Sequence, residues 1–255
     1  MALHYRTCGF VIKKSDAGET DRIFTVLTKD FGKIKIFGKA IRKITSKLRG
    51  GIDLIGFSEI EFIQGKTQKT LTDAELLNCF GNVKCDLSKL KVAHRIADII
   101  NGLVLQEEKD GEVYDLLKYS FDKLNELGLT PVQVQMMYFY FIWNLFNLLG
   151  YKPEVNKCVV CQNKLSPDII YFSPDGAGLV CGNCLKNVGF FKRVNTDIVK
   201  VLRLILGKDI KTLLKVKIPI SSGRFLREIS NDYYFHLLSI HLSSEDLKRE
   251  RILVQ

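Results

Sequence analysis

The sequence predicts an α+β protein in which an N-terminal five-stranded barrel is followed by a helical domain that carries an inserted four-cysteine zinc module. Three observations give this prediction. Short runs of strand-forming residues separated by turn residues fill positions 1–80. Apolar residues then recur at spacings of three and four, and two Cys-x-x-Cys pairs interrupt that helical pattern. The predicted segments are 1–80, 81–155, 156–187 and 188–255.

The barrel prediction depends on strands that are short and closely spaced. Turn residues such as Ser15-Asp16-Ala17-Gly18 and Gly50-Gly51 separate them. Five strands in so short a stretch suit a small barrel. An OB-fold, whose outer face binds oligonucleotides, and a barrel of the SH3-like type both fit the pattern. The predicted strands are Tyr5–Lys14, Arg22–Thr28, Lys33–Ala40, Ser58–Gln64 and Thr70–Phe80.

The third strand and the loop after it carry a strong positive charge, with seven basic residues and no acidic residue from Lys33 to Arg49. Strand alternation places Ile34 and Ile36 on one face and the lysines with Phe37 on the other. This combination is typical of surfaces for single-stranded nucleic acid, because ammonium groups follow the phosphates and a base can stack on the ring. The candidate nucleic-acid-binding residues are Lys33, Lys35, Phe37, Lys39, Arg42, Lys43, Lys47 and Arg49.

Two alternatives remain for this segment. The lysines also suit a solvated strand that avoids edge-to-edge pairing. The ring of Phe37 can instead turn inward at a bulge made by Gly38.

The second site is the cysteine set Cys158, Cys161, Cys181 and Cys184. Each pair encloses two residues, and the separation of the pairs is within the usual range for a four-thiolate zinc knuckle. Four thiolates complete the tetrahedral shell of Zn²⁺ and leave no position for substrate, so the spacing predicts one structural zinc ion. Variable metal loading and disulfide or redox chemistry are the alternatives. Turn formers at Ser166-Pro167-Asp168 and 173–176 outline a hairpin between the pairs, and the other cysteines (Cys8, Cys79 and Cys85) are expected to be core or surface residues.

Composition narrows the class of protein. The chain has 255 residues, 38 Lys and Arg against 28 Asp and Glu, and a net charge of +10. No secretory signal pattern opens it, so the cytoplasm is the expected compartment. A protein this basic usually meets polyanions, of which nucleic acid is the commonest. An acidic zone at 107–126 lies between the basic zone of the barrel and a second one at 186–217, which indicates a track or two contact surfaces.

One predicted helix contains no charged residue. Thr130 is a suitable N-cap, Pro131 occupies the first helical position, and Gly150 follows the last turn. The helix is long enough to cross a bilayer, but four amides spread around it and favour a buried central helix with no membrane partner. Farther on, Asn195 or Thr196 can cap a helix that ends near residue 206.

In its order of parts, the chain resembles the RecO family of bacterial recombination mediators. The resemblance covers nearly the whole chain and is carried by the first hairpin (Gly18-Glu19-Thr20-Asp21-Arg22), by the basic segment (Gly32-Lys33-Ile34, Lys39-Ala40-Ile41-Arg42-Lys43 and Ser46-Lys47-Leu48-Arg49-Gly50), and by the knuckle inside a helical domain. It implies an OB-fold and a zinc module in a nucleoid-associated protein that binds single- and double-stranded DNA and anneals complementary strands. It also implies RecR as a partner, contact with the acidic C-terminal tail of the single-stranded-DNA-binding protein SSB, and an indirect role in loading RecA onto coated DNA. For the SSB tail, the candidate residues are the basic zone Lys200–Lys217 or Arg224 and Arg227.

Other classes of function are weighed against this resemblance. An enzyme is not expected, because the four histidines stand apart, no Walker-type phosphate loop is present, and the predicted metal shell is closed. A zinc-ribbon RNA-binding protein or transcription or translation factor is the stronger alternative, since a basic barrel with a zinc knuckle also suits RNA. The preferred nucleic acid distinguishes the two classes. A mediator should bind single-stranded DNA and pair complementary strands, whereas an RNA factor should discriminate by the 2′-hydroxyl group or by a folded shape.

Overall fold

The computed structural model describes residues 3–166, 170–216 and 219–241. The chain divides into two compact units, residues 1–129 and residues 130–255. The predicted turn at Ser166-Pro167-Asp168 lies mostly outside the described residues, as does Lys217 of the second basic zone.

The first unit begins with five strands: β1 (Leu3–Ala17), β2 (Asp21–Thr28), β3 (Gly32–Gly38), β4 (Phe57–Gln64) and β5 (Lys69–Asn78). They close into a barrel in the order β1-β2-β3-β5-β4. Four of the pairings are antiparallel, and the parallel pairing of β3 with β5 joins Ile36 to Lys69 and Phe37 to Thr70. A closed five-stranded barrel of this kind is an OB-fold, which confirms that prediction.

Alternation along the strands fills the barrel. Ile34 and Ile36 are fully buried inside it, as predicted, together with Val11, Phe24 and Ile60. The long connection from β3 to β4 also contributes core residues and includes a short 3₁₀ helix at Lys47–Gly50. This connection lies tightly against β5. The loop after β3 is therefore packed against the barrel.

Three helices complete the first unit: α1 (Gly81–Lys84), α2 (Leu87–Leu103) and α3 (Gly111–Leu124). Asp86 and Asp110 cap α2 and α3, since each carboxylate accepts two backbone N–H groups in the first turn. An aromatic cluster around Phe10 joins α3 to β1. Its ring centroid lies 5.5 Å from that of Tyr114 and 5.7 Å from that of Phe121.

The second unit opens with helix α4 (Pro131–Leu148), whose start is fixed by a capping box between Thr130 and Gln133. It continues through a small sheet and three further helices. These elements are β6 (Ile170–Ser173), β7 (Gly178–Cys181), a 3₁₀ helix (Gly182–Asn187), β8 (Lys192–Val194), α5 (Thr196–Leu206), α6 (Ile210–Leu213) and α7 (Ile220–His241). Asn195 caps α5 by accepting the N–H of Ile198 at 2.9 Å, which confirms the predicted cap.

Helix α4 is the buried centre of this unit, as predicted. Trp143 stacks on Tyr233 of α7 with centroids 5.6 Å apart, meets Phe172 of β6 edge-on, and donates its indole N–H to Ser230 Oγ at 3.0 Å. The amide of Asn144 donates to a carbonyl of α4 and to one of α5. Among the described residues, no helix combines the length and the apolar character needed to cross a membrane.

The small sheet has the order β7-β6-β8 and is antiparallel throughout. Phe172 faces the core around Trp143, so its neighbour Tyr171 points to the opposite face. Tyr171 pairs across the sheet with Val180, which packs against Cys158 and Cys184. The cysteine cluster and Tyr171 therefore share one face of this sheet. Strand β8 lies beyond the predicted module of residues 156–187, and the predicted segment boundaries stay predictions.

Candidate metal centre and nucleic-acid interface

The four predicted cysteines come together in the second unit. Cys158 and Cys161 lie in the turn before the sheet, Cys181 ends β7, and Cys184 lies in the following 3₁₀ helix. Their four sulfur atoms all lie within 4.8 Å of one another. The β6–β7 hairpin brings the second pair back to the first, so the spacing of the sequence becomes one compact group.

The geometry of this group fits a tetrahedral metal. Four sulfurs at about 2.3 Å from a common centre are about 3.8 Å from one another, and the sulfurs of Cys161 and Cys181 are 3.8 Å apart. The backbone N–H of Cys181 also donates to the sulfur of Cys158 at 3.4 Å. Burial raises the pKa of the Cys158 thiol, but hydrogen bonds from backbone N–H groups outweigh burial and lower it, whereas the hydrogen bond with Cys181 raises the pKa of Cys184. The bonds from backbone N–H groups favour the thiolate, which is the form that binds metal.

Hydrogen bonds to the backbone attach the turn that carries Cys158 and Cys161 to the rest of the second unit. Glu154 exchanges backbone hydrogen bonds with Ala177 and Leu179, and Val159 donates to the carbonyl of Leu179. Arg203 of α5 donates to the carbonyl of Val155 at 2.9 Å. The remaining cysteines are separate from the cluster, since Cys8 is half-buried in β1 while Cys79 and Cys85 are exposed.

On the barrel, most of the predicted basic residues are exposed. Lys35 and Lys39 face outward from β3 and its end, and Phe37 is half-buried beside them. The register of β2 with β3 is continuous from residue 22 opposite residue 38 to residue 28 opposite residue 32. The bulge considered at Gly38 is therefore absent, and Phe37 stays on the face of Lys35. The exposed basic residues of the following loop are Arg42, Lys43, Lys47 and Arg49.

Lys33 differs from the prediction. Alternation places it on the outer face correctly, but the C-terminal end of helix α2 covers that face at Lys33, and only 4% of Lys33 is exposed. Its ammonium donates to the carbonyl of Asn101 at 2.6 Å, in the last turn of α2, where carbonyls lack helical partners. Burial, with Lys35 and Lys13 adding repulsion, lowers the pKa of Lys33 to about 8. Lys33 is thus a helix-capping residue and does not belong to the exposed basic surface.

The basic loop has carboxylate anchors that the sequence pattern did not single out. Asp21 accepts the backbone N–H of Ala40 at 2.6 Å. Asp16 binds Arg22 at 2.8 Å and Arg42 at 3.3 Å. The hydrogen bond to Ala40 lowers the pKa of Asp21, and the one from Arg22 lowers the pKa of Asp16. Both anchors lie in or beside the first hairpin.

Residues 193–198 of the second basic zone and the first turns of α7 line an open cavity of about 460 Å³ at the junction of β8, α5 and α7. Arg193 and Phe225 line it together with the polar side chains of Asn195 and Ser222. Arg227 donates to Gln135 of α4. The sequence signal for this cavity is weak, because its lining comes from segments about thirty residues apart and no motif marks it.

Comparison with known families decides the relationship of the chain. Residues 1–80 match the family model described as Recombination protein O N terminal, and residues 85–246 match the one described as Recombination protein O C terminal. The chain belongs to the RecO family. A protein of Dehalococcoides mccartyi named DNA repair protein RecO is 32% identical over 84% of this chain and 83% of its own length. Proteins with the same name from Acetivibrio thermocellus and Halalkalibacterium halodurans are 28% and 26% identical and cover 90% and 95% of this chain and 90% and 93% of their own lengths, respectively.

Membership in the RecO family agrees with the fold. The two family models divide the chain between the barrel and the part that follows it, and the second covers the four-cysteine cluster. The chain is accordingly a DNA repair protein of the RecO family whose four cysteines are placed to bind a metal ion.

Proposed function

We propose that this RecO-family protein is a recombination mediator that binds single- and double-stranded DNA, anneals complementary strands, and helps to load RecA onto SSB-coated DNA together with RecR. The observation that carries the proposal is the exposed basic surface of the OB-fold. It comprises Lys35, Lys39, Arg42, Lys43, Lys47 and Arg49, with Phe37 half-buried among them.

The chemistry of annealing suits such a surface. Two strands repel each other through their phosphates, and their bases must stay free to pair. A cationic surface that contacts phosphates lowers the repulsion without occupying the base edges. The loop is also anchored before DNA arrives, because Asp21 binds the backbone of Ala40 and Asp16 binds Arg42. Little ordering entropy is then lost on binding.

Salt dependence is the first consequence of phosphate contacts. Each neutralised phosphate of a single strand contributes about 0.7 to the slope of log affinity against log salt, so six contacts weaken binding about 300-fold between 50 and 200 mM salt. Binding should be tolerant of sequence. An affinity that hardly moved over this range would contradict the proposal.

The functional experiment measures the rate at which two complementary oligonucleotides, each coated with SSB, pair in the presence of the protein. We expect a large acceleration that is lost when Arg42, Lys43 and Lys47 are all replaced by Ala. The matched control replaces three exposed lysines of the helical part of the first unit, Lys91, Lys109 and Lys118. The control removes the same charge and should keep the acceleration. If both variants lose the acceleration equally, net charge alone explains it. If the parent itself does not accelerate pairing, the mediator proposal is contradicted and RNA becomes the nucleic acid to test.

For the metal, we propose one structural Zn²⁺ held by Cys158, Cys161, Cys181 and Cys184. When bound, it would cross-link the turn, the end of β7 and the 3₁₀ helix. Four thiolates would fill its coordination shell, so the ion would take no part in a reaction. The support is the close approach of the four sulfurs and the hydrogen bonds that favour the Cys158 thiolate.

The partner proposal concerns the acidic tail of SSB, which requires a cation beside an apolar pocket. The cavity at β8, α5 and α7 offers this combination through Arg193 and Phe225, and Arg224 is exposed next to Phe225. A peptide with the sequence of the SSB tail should bind at low salt and lose affinity when Phe225 is replaced by Ala. A peptide that fails to bind the parent at low salt would remove this part of the proposal.

A further inference from the structure

Two consecutive phenylalanines are exposed beside the cysteine cluster. Phe190 is 48% exposed and Phe191 is 37% exposed, and no other phenylalanine in the described part of the chain is as exposed. Leaving two adjacent rings in water is unfavourable, because each buried ring contributes substantially to folding. An exposed aromatic pair in an otherwise well-buried set indicates a surface that meets another molecule.

The backbone of Phe190 and the ring of Phe191 are held in place. The backbone N–H of Phe190 donates to Asp175 Oδ2 at 3.3 Å, and Asp175 Oδ1 lies 3.2 Å from Nδ1 of His236. The ring of Phe191 meets that of Tyr171 edge-on with centroids 5.4 Å apart. Tyr171 shares its sheet face with the cysteine cluster, so the aromatic pair lies beside the zinc module.

Lysines of the same module provide the complementary charge. Lys157 and Lys164 are paired directly opposite each other across the first knuckle, and both are exposed. Like charges in this arrangement are destabilising unless an anion lies near them. Lys186, in the second knuckle, is also exposed. Within the described residues, none of these three lysines forms an ion pair.

Lys192, unlike the three lysines of the knuckles, is engaged in ion pairs. It follows Phe191 in sequence, but its ammonium lies 2.8 Å from Asp232 and 3.5 Å from Glu228 of α7. These carboxylates raise the pKa of Lys192 against the effect of burial. Lys192 is therefore engaged inside the unit, whereas Lys157, Lys164 and Lys186 have no carboxylate partner among the residues that the structure describes.

We propose that this knuckle face, defined as Phe190, Phe191, Lys157, Lys164 and Lys186, is a second binding site for single-stranded DNA. Bases stack on the two phenylalanines, and the three lysines contact phosphates. The combination of aromatic rings with unpaired cations favours a nucleic acid over a protein partner, because stacking accepts any base and the charge attracts the backbone. The inference rests on the proposed function and extends it, since annealing involves two strands and a second site allows each strand a site of its own.

The first experiment counts sites by calorimetry with an oligothymidylate of about eight nucleotides, a length within the usual range for one site. The full-length parent should bind two oligonucleotides per chain. Replacing both Phe190 and Phe191 by Ala should leave one, and so should the barrel variant with Arg42, Lys43 and Lys47 replaced by Ala. A parent that binds one oligonucleotide, lost entirely in the barrel variant, overturns the second site while leaving the proposed function intact.

The second experiment tests stacking directly by comparing oligothymidylate with an abasic sugar–phosphate strand of equal length. Stacking of a base on an aromatic ring favours the base-bearing strand, so the parent's preference for that strand should fall about tenfold or more in F190A/F191A. The conservative variant F190Y/F191Y keeps two rings and should keep the preference. The variant K157Q/K164Q/K186Q should keep the preference but lower the salt slope by about 2.

Controls separate a lost site from a lost fold. F190A alone removes the more exposed ring, and its metal content and melting temperature should match those of the parent. An F190A/F191A variant that keeps the parent's preference, or that weakens only binding of the SSB tail peptide, refutes the knuckle face. A parent that binds no DNA refutes the proposed function itself.

Discussion

The buried ammonium of Lys33 makes the stability of the barrel depend on pH in an unusual direction. The perturbation is Lys33→Met, which keeps the length of the side chain and its packing under α2 but removes the titrating group. Lys33 is 4% exposed, and its pKa is about 8, against 10.5 for an ordinary lysine. Between these two values the unfolded chain holds the proton and the folded protein releases it. The free energy of unfolding of the parent therefore rises with pH in this window.

The magnitude follows from the size of the shift. One pKa unit corresponds to 1.36 kcal/mol, so the rise attributable to Lys33 between pH 8 and pH 10.5 is at most about 3 kcal/mol. Below pH 8 this contribution is flat, because Lys33 is protonated in both states. In K33M the contribution is absent at every pH.

The assay is urea denaturation followed by far-UV circular dichroism at several pH values across this window, for the parent, K33M and K39M. Other groups titrate there as well, so the informative quantity is the difference between the parent and each variant. Lys39 is exposed at the end of the same strand, and K39M should follow the parent. A pH dependence of K33M equal to that of the parent would refute the burial argument.

Three further predictions concern stability. Replacing Cys181 by Ser should release the bound metal, measured by elemental analysis, and lower the melting temperature; a variant as heat-stable as the parent would show that the metal is not structural. Gly51→Ala would place a Cβ 1.9 Å from a carbonyl oxygen of β5 and should cost about 1 to 3 kcal/mol in urea denaturation, whereas Gly50→Ala meets nothing within 4 Å and should be nearly neutral. Ser230→Ala leaves the buried indole N–H of Trp143 without its acceptor and should cost about 1 to 3 kcal/mol, monitored by tryptophan fluorescence.

Local patterns predicted much of the fold. The five strands begin and end within a few residues of their predicted bounds. Turn residues and the alternation of polar and apolar residues are local patterns, so the sequence of each segment is enough to predict them. The caps at Thr130 and Asn195 and the grouping of the four cysteines were predictable for the same reason. In each case a short stretch of sequence contains the interaction that fixes the structure.

Contacts between distant segments were not predictable in this way. Lys33 and Asn101 are 68 residues apart, and no local pattern shows that α2 covers the lysine. Strand β8 has three residues and is defined by pairing with β6 rather than by its own sequence. The exposure of Phe190 and Phe191 likewise depends on how the sheet packs, since two aromatic residues in sequence are more often buried than exposed.

The apolar helix α4 has a consequence for the synthesis of the protein. The hydrogen-bond acceptor of Trp143 is Ser230, which lies 87 residues later in the chain. A ribosome adds about 5 to 20 residues per second. The apolar surface of α4 therefore leaves the ribosome roughly 4 to 17 s before its partner on α7. During that interval the nascent chain exposes an apolar segment that can aggregate. The yield of the folded protein in vivo should therefore depend on chaperones that bind exposed apolar segments.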